Sequence, residues 1–248
     1  MIQRKSKHQS TTTQSNLYSN ERELQIQLAN LEIGLDSPFT ITFLRREVPV
    51  GNRIPDLIYV RFLTLPDSTL WPRKWSFRHA HMLWLLRSHQ FLTPEIVASL
   101  SYESVERITP TLDDLIRSGA VDTLPNGTLA LTSKMVSIKA EIIAAEAKLR
   151  AWRAALAQAN VYLRFANRVF VAMDPQFAPK DAMALDAFRQ QGIGLCTVTR
   201  KTVEWLVMPT IQPGWPGPDS EYLIASAATP SRQHLWSRRN ARNASRHA

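Results

Sequence analysis

The chain has 248 residues, a formal net charge of +9 at pH 7, 44% hydrophobic residues and one cysteine, which excludes an intrachain disulfide. Its length suits one large domain or two small ones, and its composition is that of a globular protein. No run approaches the roughly 20 apolar residues of a membrane span, and the polar first residues lack the apolar segment of a signal peptide. We therefore expect a cytoplasmic protein with no membrane partner, with Cys196 buried in an apolar run.

The excess positive charge lies mostly at the two ends of the chain. Residues 1–20 contain three basic residues and no acid, and residues 229–248 contain five arginines and no acid. The body between them is nearly neutral. We predict a disordered basic tail at 1–19 and a basic tail at 229–248, which either contact phosphates non-specifically or keep the chain in solution by their charge.

The first seventy residues predict a helix followed by two strands. Asn20 is a typical helix N-cap, and leucines recur after it at helical spacing, which predicts an amphipathic helix over residues 21–35. Alternation of apolar and polar residues predicts a strand over 39–48. A Pro-Val-Gly-Asn turn then leads to a second β-rich run at 55–63, and Asp56 opens that strand.

The middle of the chain, residues 74–133, predicts three helices and a hairpin. An apolar-periodic helix comes first, and then Thr93-Pro94 and Thr109-Pro110 each combine a cap residue with a proline suited to the first helical position. The second pair is expected to open a short helix over 112–117. Pro125-Asn126-Gly127 between two apolar runs predicts a hairpin. This order resembles a winged helix-turn-helix, which would bind DNA through its wing or serve dimerisation.

The last part of the chain alternates between strand and helix patterns. This alternation is typical of an α/β protein with a mixed central sheet flanked by helices. Strands are predicted at 136–149, 169–173 and 193–199, and helices at 151–165 and 180–191. The predicted organisation is a discontinuous core at 20–70 and 134–228 with residues 74–133 inserted into it.

Three short segments combine residue types that carry chemistry. Arg53-Ile54-Pro55-Asp56 leads into the second strand, Glu146-Ala147-Lys148 ends the third, and Gln158 and Tyr162 follow on the next helix. Residues two apart on a strand point to one face, and residues four apart on a helix share a face. Glu146 and Lys148 are therefore expected side by side, as are Gln158 and Tyr162.

These segments resemble the active-site signature of the PD-(D/E)xK nuclease superfamily, and the glutamine-tyrosine spacing resembles that of its RecB-like members. The resemblance implies a restriction-endonuclease-like core with the winged helix between its second and third strands. Mg²⁺ prefers oxygen ligands, and a divalent cation activates water for phosphodiester hydrolysis. The resemblance accordingly implies that Asp56 and Glu146 bind Mg²⁺, or Mn²⁺ in its place, with the carbonyl of Ala147 as a further ligand.

The same resemblance implies roles for the remaining polar residues. Lys148 would orient or activate the attacking water and stabilise the transition state. Gln158 and Tyr162 would brace these groups or touch the DNA backbone. A further metal-binding acid is implied from the first helix, for which the candidates are Glu21, Glu23 and, on the first strand, Glu47. An acid at this position is also favoured by the helix dipole alone.

The expected function is that of a Mg²⁺-dependent deoxyribonuclease, an endonuclease that hydrolyses double-stranded DNA in restriction, defence or repair. Symmetric cutting of both strands is simplest with two active sites, which favours a homodimer. The alternative is a non-catalytic DNA-binding regulator built on a nuclease-like core, and RNA is a weaker third substrate. The candidate phosphate contacts are Arg53, which could instead pair with Glu47, Arg117 and Arg150.

Overall fold

The computed structural model describes residues 17–36, 38–39, 41–214 and 216–229. Of the basic tails predicted at 1–19 and 229–248, residues 1–16 and 230–248 lie outside these described residues. The described chain is a mixed α/β fold, with a six-stranded sheet flanked by helices and a separate two-stranded hairpin. Within these residues no helix is both long enough and apolar enough to cross a membrane.

The elements are numbered here in chain order. The helices are α1 (Glu21–Asn30), α2 (Phe77–His89), α3 (Pro94–Leu100), α4 (Val105–Arg117), α5 (Ser133–Val136), α6 (Trp152–Tyr162), α7 (Ala182–Gln191) and α8 (Pro218–Ala228). The strands are β1 (Ile41–Arg46), β2 (Leu57–Phe62), β3 (Val121–Thr123), β4 (Leu129–Leu131), β5 (Ala140–Lys148), β6 (Arg168–Met173), β7 (Gly194–Val198) and β8 (Val203–Val207).

The large sheet has the order β1-β2-β5-β6-β7-β8. The outer pairings are antiparallel, and the central strands β5, β6 and β7 are parallel to one another. Leu57 at the start of β2 lies opposite Ala145 near the end of β5. The start of β2 and the ends of β5, β6 and β7 therefore share one edge of the sheet, which is the edge that carries the sequence motifs.

The two faces of the sheet pack against different helices, because successive strand residues point to opposite sides. On β5, Ile142 and Ala144 belong to the larger core, which includes residues of α2, α6 and α8. Ile143 and Ala145 belong to the smaller core beneath α1, where Leu24 is buried. Glu146 lies on the same side of β5 as Ile142 and Ala144. Its side chain therefore faces α6, where it contacts Tyr162.

The inserted segment packs on the core through α2. This helix lies against α8, and α3, α4 and β4 pack on α2 in turn. Their buried apolar residues join those of the sheet in one continuous cluster. The hairpin of β3 and β4 forms as its turn residues predict, and Leu92 adds a single antiparallel bridge to Leu129 beside it.

The predicted α1 is too long. The helix ends at Asn30 rather than at residue 35, because Leu31 is extended and Gly34 adopts a left-handed φ of +56°. The predicted N-cap is confirmed, since Asn20 accepts a hydrogen bond from the Glu23 amide at 2.9 Å. Leu35 remains buried in the smaller core although it lies outside the helix.

The expectation that Thr109-Pro110 opens a short helix at 112–117 is wrong. α4 begins at Val105 and contains Pro110, whose ring is exposed. Buried positions at helical spacing continue on both sides of the proline, so packing holds the turn that the missing proline N–H weakens. These positions are Ile108, Leu112 and Leu115.

Three further differences concern the ends of the chain and the strand before the motif. Tyr18 is buried, at 1% exposure, although the basic tail was expected to be disordered up to residue 19. Residues 133–136 form α5, so the strand expected at 136–149 begins only at Ala140. β8 and α8 were not predicted. The buried position expected for Cys196 is confirmed.

Candidate active site

Asp56 and Glu146 meet at the edge shared by β2 and β5. Asp56 lies one residue before β2, and its Oδ2 accepts a hydrogen bond from the amide of Ala147 at 2.7 Å. The antiparallel register places Leu57 opposite Ala145, so Asp56 and Glu146, each one residue beyond this pair, are neighbours. Two acids that are 90 positions apart in the sequence thus come together.

Glu146 is buried, with 3% of its surface exposed, and is held on both carboxylate oxygens. The Tyr162 hydroxyl on α6 donates to its Oε2 at 2.6 Å. The Lys148 Nζ lies 3.4 Å from its Oε1. The predicted proximity of Glu146 to Lys148 is therefore present, and Tyr162 braces the acid from the facing helix.

α1 contributes Glu21 to the site. Its Oε2 accepts a hydrogen bond from the Lys148 Nζ at 3.1 Å. Glu23 instead accepts a hydrogen bond from the Ser19 amide at the helix N-terminus, at 2.9 Å. Glu47 bonds to the Asp56 carbonyl through its own amide at 3.2 Å, and its side chain is exposed. Of the three candidate acids, Glu21 is the one in contact with Lys148.

The acids have altered protonation equilibria. Burial raises the pKa of Asp56, and it outweighs the hydrogen bond from Ala147 and the charge of Lys148, which lower it. Burial also raises the pKa of Glu146, where the Tyr162 hydrogen bond opposes the shift and the charge of Asp56 adds to it. A carboxylate pair of this kind favours a nearby positive charge.

The pKa of Lys148 is set by its acidic neighbours more than by burial. Burial lowers its pKa, but the hydrogen bond that it donates to Glu21 and the charges of Glu146, Glu21 and Asp56 outweigh burial, so the pKa of Lys148 is raised. The ammonium group is therefore held in its charged form next to the buried Glu146 and the half-buried Asp56. It supplies a fixed positive charge at the site.

Gln25 is a site residue that sequence reasoning missed. Its side chain lies close to Asp56 and lowers the pKa of that acid, against the larger effect of burial. Gln25 lies four residues after Glu21, so the two share a face of α1. That spacing was a usable signal, but only once Glu21 was known to face the site.

No protein-family model, curated protein or solved structure matches the chain. Among the described residues there is no group of three or more His, Cys, Asp or Glu side chains arranged to hold a metal ion. Asp56 and Glu146 would thus form a two-carboxylate site, and Ala147 enters it through its amide.

The other predicted residues lie at varied distances from these acids. Gln158 is exposed, and it lines an open depression of about 610 Å³ together with Lys148 and Arg150. Arg53 is exposed in the turn before Asp56, where it makes no ion pair with Glu47 in the described part of the chain.

Arg117 lies on α4 rather than at this edge. Its guanidinium donates a hydrogen bond to Asp114 at 2.8 Å within the same helix. The described contacts do not connect it to Asp56 or Glu146. Of the predicted phosphate contacts, Arg150 lines the same depression as Lys148, and Arg53 precedes Asp56 in the chain.

Proposed function

We propose that the protein is a metal-dependent endonuclease that hydrolyses DNA phosphodiester bonds at Asp56, Glu146 and Lys148. The observation that carries the proposal is the convergence of these residues from two segments 90 positions apart. Two partly desolvated acids beside a fixed ammonium group are what a hydrolytic phosphate site needs, and a structural role alone would not require such crowding of charge.

The donor set fits a hard divalent cation. Asp56 and Glu146 offer only oxygen atoms, and burial together with their mutual repulsion favours a cation between them. Mg²⁺ is commonly held by one or two carboxylates, with water and substrate phosphate completing its ligands. When bound, such a cation lowers the pKa of water and neutralises charge on the phosphate. Mn²⁺ is an alternative.

The protein groups have separate roles in this proposal. Lys148 stabilises negative charge that develops on the phosphate and orients the attacking water. Tyr162 holds Glu146 in one orientation through its hydrogen bond. Glu21 fixes the Lys148 ammonium group from α1. Gln158 faces the depression beside Lys148, where it would meet the DNA backbone.

We further propose a restriction-endonuclease-like core with an inserted winged helix. The order of helices and strands around the acids supports the first part. The second part is supported by α2, α3 and α4 followed by the hairpin of β3 and β4, with Leu92 bridged to Leu129 as a third short strand position. Substrate selection by this insert, in restriction, defence or repair, is part of the same proposal.

Incubation with supercoiled plasmid tests the proposed activity. The native protein is expected to nick or linearise the plasmid with Mg²⁺ and not with EDTA. Asp56→Asn and Lys148→Ala should each lose cutting, because each removes one charge of the site. Asp186→Asn is the matched control, since Asp186 is an exposed acid that pairs with Arg189 on α7.

The result that would contradict the proposal is binding of DNA without metal-dependent cutting by the native protein. That result would favour a non-catalytic regulator instead. Equal cutting by the native protein and by both site variants would show that the activity comes from a different site or from a contaminant.

A further inference from the structure

Two arginines beside the depression are held by aromatic rings. The Arg150 guanidinium lies 4.2 Å from the centre of the Phe177 ring, and the Arg153 guanidinium lies 4.4 Å from the centre of the Trp152 ring. Trp152 in turn packs against Phe188 at a centroid distance of 6.0 Å. Both arginines are exposed. A guanidinium stacked on a ring is oriented while its N–H donors remain directed outwards.

Neither arginine has an acidic partner among the described residues. Other exposed arginines do: Arg117 pairs with Asp114 at 2.8 Å, and Arg189 pairs with Asp186 at 2.6 Å. In each of these two pairs, a guanidinium N–H donates a hydrogen bond to a neighbouring carboxylate. The stacked pair therefore keeps its full charge and its donors for an external anion.

The stacked arginines adjoin the proposed site. Arg150 lines the same depression as Lys148 and Gln158, and Arg153 precedes Ala154, which also lines it. The acidic residue in this lining is Glu21, whose carboxylate is already held by Lys148. Apart from Glu21, the described lining of the depression consists of basic and neutral residues.

We propose that Arg150 and Arg153 form an arginine ledge that binds phosphates of the DNA strand on one side of Lys148. The proposal rests on the proposed function, since it assigns the path of the DNA backbone at that site. The planar fork of arginine fits phosphate oxygens with two parallel hydrogen bonds. Stacking on rigid rings orients this fork before the DNA arrives, which reduces the entropy lost on binding.

The inserted helices offer a poorer surface for phosphates. The exposed face of α4 carries Glu106 and Asp113, both acidic, and its Arg107 and Arg117 are each paired with an acid. Acids on this face repel a polyanion. The DNA backbone is therefore expected along the ledge rather than along α4.

The ledge is tested by equilibrium binding of a fluorescent DNA duplex in EDTA, which separates binding from cutting. Affinity is measured over a range of salt concentrations for the native protein and for the double variant Arg150→Ala/Arg153→Ala. Each lost phosphate contact reduces the slope of log affinity against log salt by about 0.9. The double variant should therefore have a slope shallower by roughly two.

The matched control is the double variant Arg117→Ala/Arg189→Ala, which loses the same charge from two ion-paired arginines. Its slope should stay close to the native value. Equal loss of slope in both double variants would overturn the ledge and indicate a non-specific effect of net charge. Cutting by the native protein with unaltered binding of both variants rejects the ledge but leaves the nuclease proposal standing. A shallower slope in the ledge variant, together with a native protein that does not cut, supports the ledge and rejects the nuclease proposal.

A third variant tests the role of the ring. Phe177→Leu keeps the Arg150 charge and removes the surface on which it stacks. Duplex affinity should fall roughly twofold to fivefold with an unchanged salt slope, and a melting temperature close to native confirms that the fold is retained. Unchanged affinity in a folded variant would overturn the claim that the ring orients Arg150.

Discussion

Glu21 and Gln25 show how single side chains from α1 reach the proposed site. They lie four residues apart on one helical face; Glu21 accepts a hydrogen bond from Lys148, and Gln25 lies beside Asp56. One face of α1 therefore contacts both the basic and the acidic part of the site. These two residues orient the groups that would act on the phosphate, and each does so through a single contact.

Gln25→Ala is expected to slow plasmid cutting by about tenfold to a hundredfold, as is usual when a partner of a metal-binding carboxylate is removed. The reason is that Asp56 loses a neighbouring amide group that favours its ionised form. Gln27→Ala is the matched control, because Gln27 lies on the same helix and donates to the Arg200 carbonyl at 2.8 Å, away from the acids. Similar rates for the two variants would show that Gln25 has no role in positioning Asp56.

The turn between β5 and α6 joins the strand that carries Lys148 to the helix that carries Tyr162. Ala151 caps α6 in the left-handed conformation, with φ 58° and ψ 53°. This conformation costs an L-residue about 1–2 kcal/mol, so it persists only where the surrounding packing requires it. The turn is short, and the end of β5 and the start of α6 on either side of it line the same depression.

Ala151→Gly is expected to leave the free energy of unfolding unchanged or to raise it by up to about 1 kcal/mol, because glycine adopts this φ without strain. The same substitution at Ala157, an exposed position within α6, should lower it by about 0.5–1 kcal/mol. Urea denaturation of both variants measures the difference. Equal destabilisation by the two substitutions would contradict the strained turn.

Elements with a strong local pattern could be predicted from the sequence. Asn20 capping α1, Pro94 starting α3 and the turn of the β3–β4 hairpin are encoded by neighbouring residues, and all three are present. The strand and helix that bring together Glu146, Lys148 and Tyr162 were predicted from periodicity, and the structure gives the contacts among them.

The features that were missed depend on contacts distant in the sequence. Tyr18 is buried because it packs in the core beneath α1, although its neighbours are polar. α4 continues through Pro110 because tertiary packing outweighs local propensity. Gln25 reaches Asp56 across 31 positions of sequence.

At the scale of the whole molecule, the insert and the sheet share one hydrophobic core. α2 packs on α8, and a buried ion pair joins them, in which the Arg87 Nε donates to Glu221 Oε1 at 2.5 Å. Glu221 is 1% exposed. Burial raises the pKa of Glu221 to about 7, and the charge of Arg87 only partly opposes this shift. The junction between insert and core is therefore sensitive to pH.

The sign of this effect follows from proton binding. An ordinary glutamate titrates near 4.5, so folded Glu221 holds its proton more tightly than the unfolded chain does. Its contribution to stability is full below about pH 4.5 and is lost as the pH rises to about 7. As the pH rises between these values, the free energy of unfolding should fall less for Glu221→Gln than for the native protein. The difference between the two should be at most about 3 kcal/mol.

Urea denaturation at pH 5 and pH 7.5 measures the difference. Glu106→Gln is the control, because Glu106 is an exposed acid on α4, and it should follow the native pH dependence. Parallel pH profiles of the native protein and Glu221→Gln would show that Glu221 is already ionised in the fold at pH 5.

The most direct test of the central claim is the rate of Mg²⁺-dependent plasmid cutting by Asp56→Asn, by Lys148→Ala and by the variant that combines them. Residues that act as one catalytic unit have losses that do not multiply. We expect the native protein to cut and the double variant to be no slower than the slower single variant. Losses that multiply in the double variant, or a native protein that does not cut, would contradict a single site built from these residues.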